Sequence, residues 1–264
     1  MNASIVYKEK QLSYFVIGEG VPIVLLHGYL ETNEIWTDFS LKLSKNYKVI
    51  CPDLPGHGKS DEYESQTVEI MAEAINQLLI HLKIEKTFLV GHSMGGYVTL
   101  AFAELFPEKL NGICLFHSHP FADSIEKKNN RLHEIALLNK GKKFLLINFG
   151  IPKMFAQQYS EERKNLLTES LQIASQLTES GMKACLYAMS ERGDRSVFLM
   201  NLNLPVLLIL GRYDEYFSCE EISAFSKNIK NIKTVILEKS GHLGMFEEPD
   251  ISLKYIVNFV KMIK

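Results

Sequence analysis

Short apolar runs bounded by turn-forming residues recur along the chain, at 5–6, 15–17, 23–26, 49–51, 87–90, 113–116, 206–210 and 234–237. Each has the length and the Val, Ile, Leu and Phe content of a β-strand. The later runs are continuously apolar and do not alternate, as strands of a parallel sheet covered on both faces must be. Between the runs, segments 67–82, 96–105, 220–227 and 249–262 carry apolar residues at the period of an amphipathic helix. Strands alternating with helices predict an α/β sheet built on parallel crossovers. The first two runs have no helix between them, so they are expected to form an antiparallel hairpin at one edge.

Residues 121–196 break the alternation. They contain no strand-like run, only amphipathic patterns at 131–140, 161–177 and 182–189. So long a structureless loop is implausible inside a compact domain, so this segment is expected to fold as its own helical layer over the sheet. The division that follows is a core of 1–120 plus 197–264, interrupted by a helical insertion at 121–196.

Composition narrows the function classes. The 264 residues correspond to about 1.8 average domains, enough for one large core with an insertion. The net charge is −2, with acidic and basic residues interspersed, so no stripe suited to nucleic acid exists. No apolar run approaches the roughly 18 residues of a membrane span. The N-terminus lacks a basic, apolar, small-residue leader, and the four cysteines follow no metal or disulfide spacing. The expectation is a protein of the reducing cytoplasm. Without a G-x-G-x-x-G after a strand or an Arg/Lys cluster, no cofactor is implied. The sequence is silent on oligomeric state.

Residues 91–95 read G-H-S-M-G, directly after a strand-like run and before a helical one. A serine in that turn projects its hydroxyl from a strained backbone, and the glycines avoid collisions with neighbouring chain. A serine hydroxyl is a weak nucleophile unless a base takes its proton and a carboxylate orients that base. His242 follows the last strand-like run and Asp214 the run at 206–210, so both are expected at the C-terminal sheet edge that Ser93 occupies. Glu215 is the competing acid.

The chain order Ser93, Asp214, His242 resembles that of the α/β-hydrolase fold superfamily. The resemblance extends over His27-Gly28, residues 53–60, the serine turn, residues 211–214 and Gly241-His242. It implies a mostly parallel eight-stranded sheet flanked by helices, with 121–196 as a helical cap. It is similar above all to single-cap serine hydrolases: esterases, lactonases, carbon–carbon-bond hydrolases and cofactor-free haloperoxidases. It further implies that the backbone amides of Tyr29 and Met94 form the oxyanion hole. The loop reads H-G-Y-L, which departs from the H-G-G-G of lipases and disfavours bulky esters. Position 93 is Ser and not Asp, which disfavours epoxide and haloalkane chemistry.

Around this triad, the expected substrate-binding residues are His27, Gly28, His92 and Leu243 from the core, with Phe121, Met154, Phe155, Met182 and Met189 from the cap. Core packing competes with substrate contact at each of the cap positions. His57 and Asp53 are read as turn-packing residues, Asp194 as a solvated turn, and His81 and His133 as solvent-facing. Trp36 is expected at the pocket rim or as a helix staple. His117 and His119 form a possible metal pair, but no third ligand has suitable spacing, so no metal is expected. The leading expectation is hydrolysis of a small or medium ester, thioester or lactone with an apolar part. The same triad could serve a carbon–carbon hydrolase, lyase or perhydrolase, or a slow ligand-sensing protein.

Overall fold

A computed structural model describes residues 2–156 and 164–263. Strands β1 (Asn2–Tyr7) and β2 (Lys10–Ile17) pair antiparallel with Tyr7 opposite Lys10, so Lys8 and Glu9 alone make the turn. Both turn residues have positive φ, the geometry whose twist matches a hairpin. The remaining strands are β3 (Pro22–Leu26), β4 (Lys48–Pro52), β5 (Thr87–His92), β6 (Leu110–Phe116), β7 (Val206–Gly211) and β8 (Ile232–Leu237). They form one eight-stranded sheet in the order β1-β2-β4-β3-β5-β6-β7-β8. β2 meets β4 antiparallel, and every pairing from β4 to β8 is parallel.

Every residue of β5 and β7 is buried, which requires cover on both faces. That cover comes from α1 (Thr37–Leu43), α2 (Val68–His81), α3 (Met94–Leu105), α9 (Cys219–Ser226) and α11 (Pro249–Ile263), the last preceded by the short α10 (Gly244–Glu247). α2 packs on α3, and α1 packs on α11. The chain makes these helices start where it does by side-chain caps: the Thr67 hydroxyl accepts from Ile70 N–H, and the Ser218 hydroxyl from Glu221 N–H. The four cysteines are free and buried. Among the described residues, no helix is long and apolar enough to cross a membrane.

Between β6 and β7 lie α4 (Ile125–Leu138), α5 (Lys143–Lys153), α6 (Lys164–Ser175), α7 (Glu179–Glu191) and α8 (Ser196–Asn201). α4 begins six residues before the helical pattern expected from 131, because the Ser124 hydroxyl caps Lys127 N–H ahead of a polar first turn and a half. α5 has no counterpart among the expected elements. The first residues of the pattern at 161–177 lie outside the described residues. These helices are fixed onto the core at defined points. A Cβ on Gly181 of α7 would sit 2.1 Å from the Gly56 carbonyl oxygen, so glycine lets α7 rest on the turn after β4. Arg195, just before α8, pairs with Glu69 of α2 and Glu104 of α3 at 2.6 and 3.0 Å.

Candidate active site

β5 ends in a tight turn through Ser93, which adopts φ 51° and ψ −115° before α3 begins. Such a backbone costs a non-glycine residue about 1–3 kcal/mol and persists only where its surroundings enforce it. Here a Cβ at Gly91 would lie 2.3 Å from the Gly95 carbonyl oxygen, and one at Gly95 would lie 2.6 Å from that of His27. Ser93 N–H donates to the Phe116 carbonyl at 3.0 Å, and the Ser118 hydroxyl donates to the Ser93 carbonyl at 2.8 Å. The turn is thus pinned to the end of β6, and Ser93 opens onto a cavity of about 360 Å³.

The turn after β7 is laced to the loop after β8: Arg212 N–H donates to Leu237 and Tyr213 N–H to Ser240, each at 2.9 Å. This brings Asp214 beside His242. Asp214 Oδ1 accepts from the amides of Tyr216 and Phe217 at 2.9 and 3.3 Å, which leaves Oδ2 to meet His242 Nδ1 at 2.7 Å. Burial pushes the Asp214 carboxyl up, but His242 and His117 outweigh it and hold the group well below the usual carboxylate range. A carboxylate at Nδ1 fixes the proton there and turns the Nε2 lone pair outward. His242 lines the same cavity as Ser93. No hydrogen bond joins the Ser93 hydroxyl to the imidazole among the described residues, a contact that commonly tightens only with a reactant bound. The His242 loop is itself held: His242 N–H donates to Met154 at 2.7 Å, and Glu247 accepts from the amides of Gly241 and Ala156 at 2.7 and 2.9 Å.

A third ring, which sequence spacing did not connect to this pair, faces the same carboxylate. His117 Nδ1 lies 3.5 Å from Asp214 Oδ2, while its Nε2 accepts from Gly244 N–H at 3.1 Å. The ring proton therefore sits on Nδ1, and burial pushes the His117 pKa down to about 4 in spite of Asp214. His117, Asp214 and His242 offer ligand atoms within 4.8 Å of one another. As placed, the trio sets one carboxylate between two imidazole nitrogens. His119, the other half of the pair considered from sequence, turns away to Tyr97 Oη at 3.3 Å and Phe121 N–H at 3.2 Å.

Met94 opens α3, so its N–H has no acceptor within the helix. Tyr29 lines the cavity next to Gly28, where an added Cβ would be 3.0 Å from Ser93 Cβ. Met94 thus follows the serine directly in the chain, and Tyr29 follows the glycine packed against it. Met154 and Met189 also line the cavity. The other expected substrate residues do not. Met182, on α7, and Phe155 are both buried. Phe121 stacks on His119 and lines a separate hollow of about 200 Å³. Leu243 borders a small void on the far side of Met154. His27 is a packing residue: Nε2 accepts from Leu54 N–H at 2.9 Å, and its ring lies against His57. Gly28 and His92 sit behind the cavity wall, engaged with Glu31.

The bland expectations fare better. Asp53 accepts from Asn33 and Lys59 amides, Asp194 from Ala122 and Ser196, and His81 and His133 are exposed. His57 packs the turn and touches Cys185 Sγ at 3.5 Å. Trp36 is fully buried among Phe39, His92 and Phe116, away from any rim.

One wall of the cavity is polar. Lys127, Asn130, Arg131 and Glu134 of α4 all face it. Their spacing of three, four and seven residues puts them on one helical face, a stripe visible in the sequence once the helix is extended back to 125. Behind the stripe, Asp123 holds the guanidinium groups of both Arg131 and Arg192, the latter at 2.8 Å. Tyr216 and Phe217 flank the His242 ring at 5.1 and 5.2 Å, and neither was singled out from sequence.

A family model described as alpha/beta hydrolase fold matches residues 21–249. The pimeloyl-[acyl-carrier protein] methyl ester esterase of Wigglesworthia glossinidia brevipalpis is 26% identical over 265 residues, 96% of this chain and 98% of its own. An uncharacterised protein of Mycobacterium tuberculosis is 34% identical over 130 residues, 49% of this chain but 37% of its own length. This chain thus spans well under half of that relative. A thermophilic esterase from Thermogutta terrifontis, solved with malate bound, superposes with a TM-score of 0.94 at 27% identity, covering 100% of this chain and 99% of the other. With the fold, the serine turn and these likenesses together, the chain belongs to the α/β-hydrolase fold family of enzymes.

Proposed function

We propose that the chain is a serine hydrolase that cleaves a small or medium carboxylic ester, thioester or lactone through an acyl-enzyme. The observation that carries this reading is the Asp214–His242 pair, opening onto the same cavity as a serine held in a strained turn. His242 Nε2 takes the Ser93 proton as the hydroxyl oxygen attacks the acyl carbon. Asp214, an anion at all ordinary pH, stabilises the imidazolium that forms. The negative charge on the acyl oxygen is met by the amides of Met94 and Tyr29, each worth about 10²- to 10³-fold in rate. The imidazolium then protonates the leaving alcohol, and water returns along the same route to free Ser93. In this reading residues 121–196 form a cap over a core of 1–120 and 197–264, and the polar stripe on α4 meets the part of the substrate remote from the reacting bond.

The esterase names of full-length relatives support the reaction class, and the cavity of about 360 Å³ supports a compact substrate. The test is labelling by a fluorophosphonate, located by peptide mapping. Modification of Ser93 in the folded chain, absent in Ser93→Ala, is the expected result; an unlabelled Ser93 overturns the reading.

A further inference from the structure

Two buried ionisable groups next to this machinery have no step in it. Glu31 and His92 have side chains 4% and 0% exposed, with Nδ1 2.9 Å from Oε2. Glu31 Oε2 also accepts the Gly28 N–H at 2.5 Å. On its other edge, His92 Nε2 lies 2.8 Å from the His242 carbonyl oxygen. With Glu31 ionised, both ring nitrogens face oxygens that can only accept. A neutral imidazole has one N–H and would press a lone pair against one of those oxygens with no water to relieve it. Against that carboxylate the imidazolium satisfies both contacts, and the two charges balance.

Each contact ends on a different segment of the proposed site. Gly28 precedes Tyr29, whose amide is a proposed oxyanion donor. His92 precedes Ser93, and the third contact is the main chain of His242 itself. The pair also occupies the space that Gly28 leaves open, since a Cβ there would be 2.8 Å from Glu31 Oε2 and 3.0 Å from His92 Nδ1. We propose that Glu31 and His92 are positioning residues: a charged, buried clamp that holds the Tyr29 amide and the His242 imidazole in register with Ser93 without touching substrate. This inference rests on the serine hydrolase reading.

The surroundings agree with the charged form. Around the His92 ring are His242 and His117, with ring centroids at 4.9 and 6.0 Å, and the indole of Trp36 at 6.4 Å. Asp214 adds its field from the same side. Burial pushes the imidazolium down, but Glu31, the His242 carbonyl and Asp214 outweigh it and leave the His92 pKa raised. Burial likewise pushes Glu31 up, and His92, the Gly28 amide and His27 reverse it.

The test is nitrogen NMR of the intact chain with ¹⁵N-labelled histidine, at about pH 8, above the ordinary imidazole pKa of about 6.5. His92 resonances are assigned by their loss in His92→Gln. The clamp requires both His92 nitrogens to carry protons in the wild type. In Glu31→Gln the amide oxygen can still accept from Gly28 and Nδ1, but the charge is gone. The ring should then lose its Nε2 proton, and the His242 carbonyl should be repelled. Aryl-ester kcat should fall about 10- to 100-fold with KM within about twofold, the scale of a sub-ångström misplacement of catalytic groups. A His92 ring with a single N–H in the wild type overturns the clamp, however Glu31→Gln behaves. A folded Glu31→Gln with unchanged kcat overturns the positioning role. Failure of a fluorophosphonate to label wild-type Ser93 overturns the hydrolase reading and the positioning role with it, so the two failures are distinct.

Discussion

Replacing Asp214 by Asn tests the geometry with the smallest change of shape. Oδ1 accepts from the Tyr216 and Phe217 amides at 2.9 and 3.3 Å, so the carboxamide oxygen must take that position. Its NH₂ then faces His242 Nδ1 in place of Oδ2, which now lies at 2.7 Å. Two donors cannot face each other, so the imidazole must move its proton to Nε2, the edge turned toward the cavity. A base with its proton already in place cannot take another from Ser93. The opposite rotamer is no better, because its NH₂ would confront two backbone N–H groups. His117, whose Nδ1 lies 3.5 Å from the present Oδ2, would also lose the negative charge it faces. A tautomer trapped in this way costs about 10³- to 10⁴-fold in kcat, or about 4–5 kcal/mol of barrier. Initial rates with an aryl acetate, with KM measured alongside, give the number. KM should change little, since the cavity wall is not altered. An Asp214→Asn chain that keeps kcat within tenfold, while Glu215→Gln takes the larger loss, would refute the assignment of the orienting acid.

Three further outcomes follow from the packing. Gly95→Ala should destabilise the chain by at least about 2 kcal/mol in urea, because its Cβ would meet the His27 and Leu26 carbonyl oxygens at 2.6 and 2.7 Å; unaltered stability with normal Ser93 labelling would contradict the account of the turn. Asp123→Asn strands the two guanidinium groups it now holds, at a cost of about 3–5 kcal/mol, and an unchanged urea midpoint would argue against the buried pairing. Stability should also fall with acid. His117 has a folded pKa of about 4 against an ordinary 6.5, so the unfolded chain takes up its proton first. The contribution is intact above about 6.5 and is lost, to the extent of about 3 kcal/mol, as pH falls to about 4. His119, pushed down to about 3, acts with the same sign. His92 acts oppositely: its contribution is full below about 6.5 and disappears as pH rises through its raised value. A urea midpoint that is flat from pH 6.5 to 4 would show that these rings are not buried as neutral species.

The strands were legible because burial on both faces leaves a continuous apolar run, and the nucleophile turn because its glycines are sterically required. Asp214 and His242 could be chosen because turns after parallel strands converge on one edge. α5 leaves no helical pattern in the sequence because its core-facing Ile147 and Ile151 sit among other apolar residues that are exposed, such as Phe144 and Leu145, and its end carries Gly150 and Pro152. The cavity lining was the weakest part. Whether Met182 or Met189 turns inward is decided by how α7 rests on Gly56, which no local pattern records. Glu31 was passed over for the same reason: its meaning lies in a contact with His92, 61 positions away. The α4 stripe was recoverable, since Ser124 is a good cap and the spacing of 127, 130, 131 and 134 is regular.

A covalent intermediate on one hydroxyl is the centre of this mechanism, and it can be weighed directly. The chain should be quenched in acid during steady turnover of an aryl acetate, digested, and its peptides weighed. A single acetyl group on Ser93, absent from Ser93→Ala and accumulating before steady release of product, is the result this account predicts. Turnover that persists in Ser93→Ala, or an acetyl group carried by another residue in its place, would contradict it.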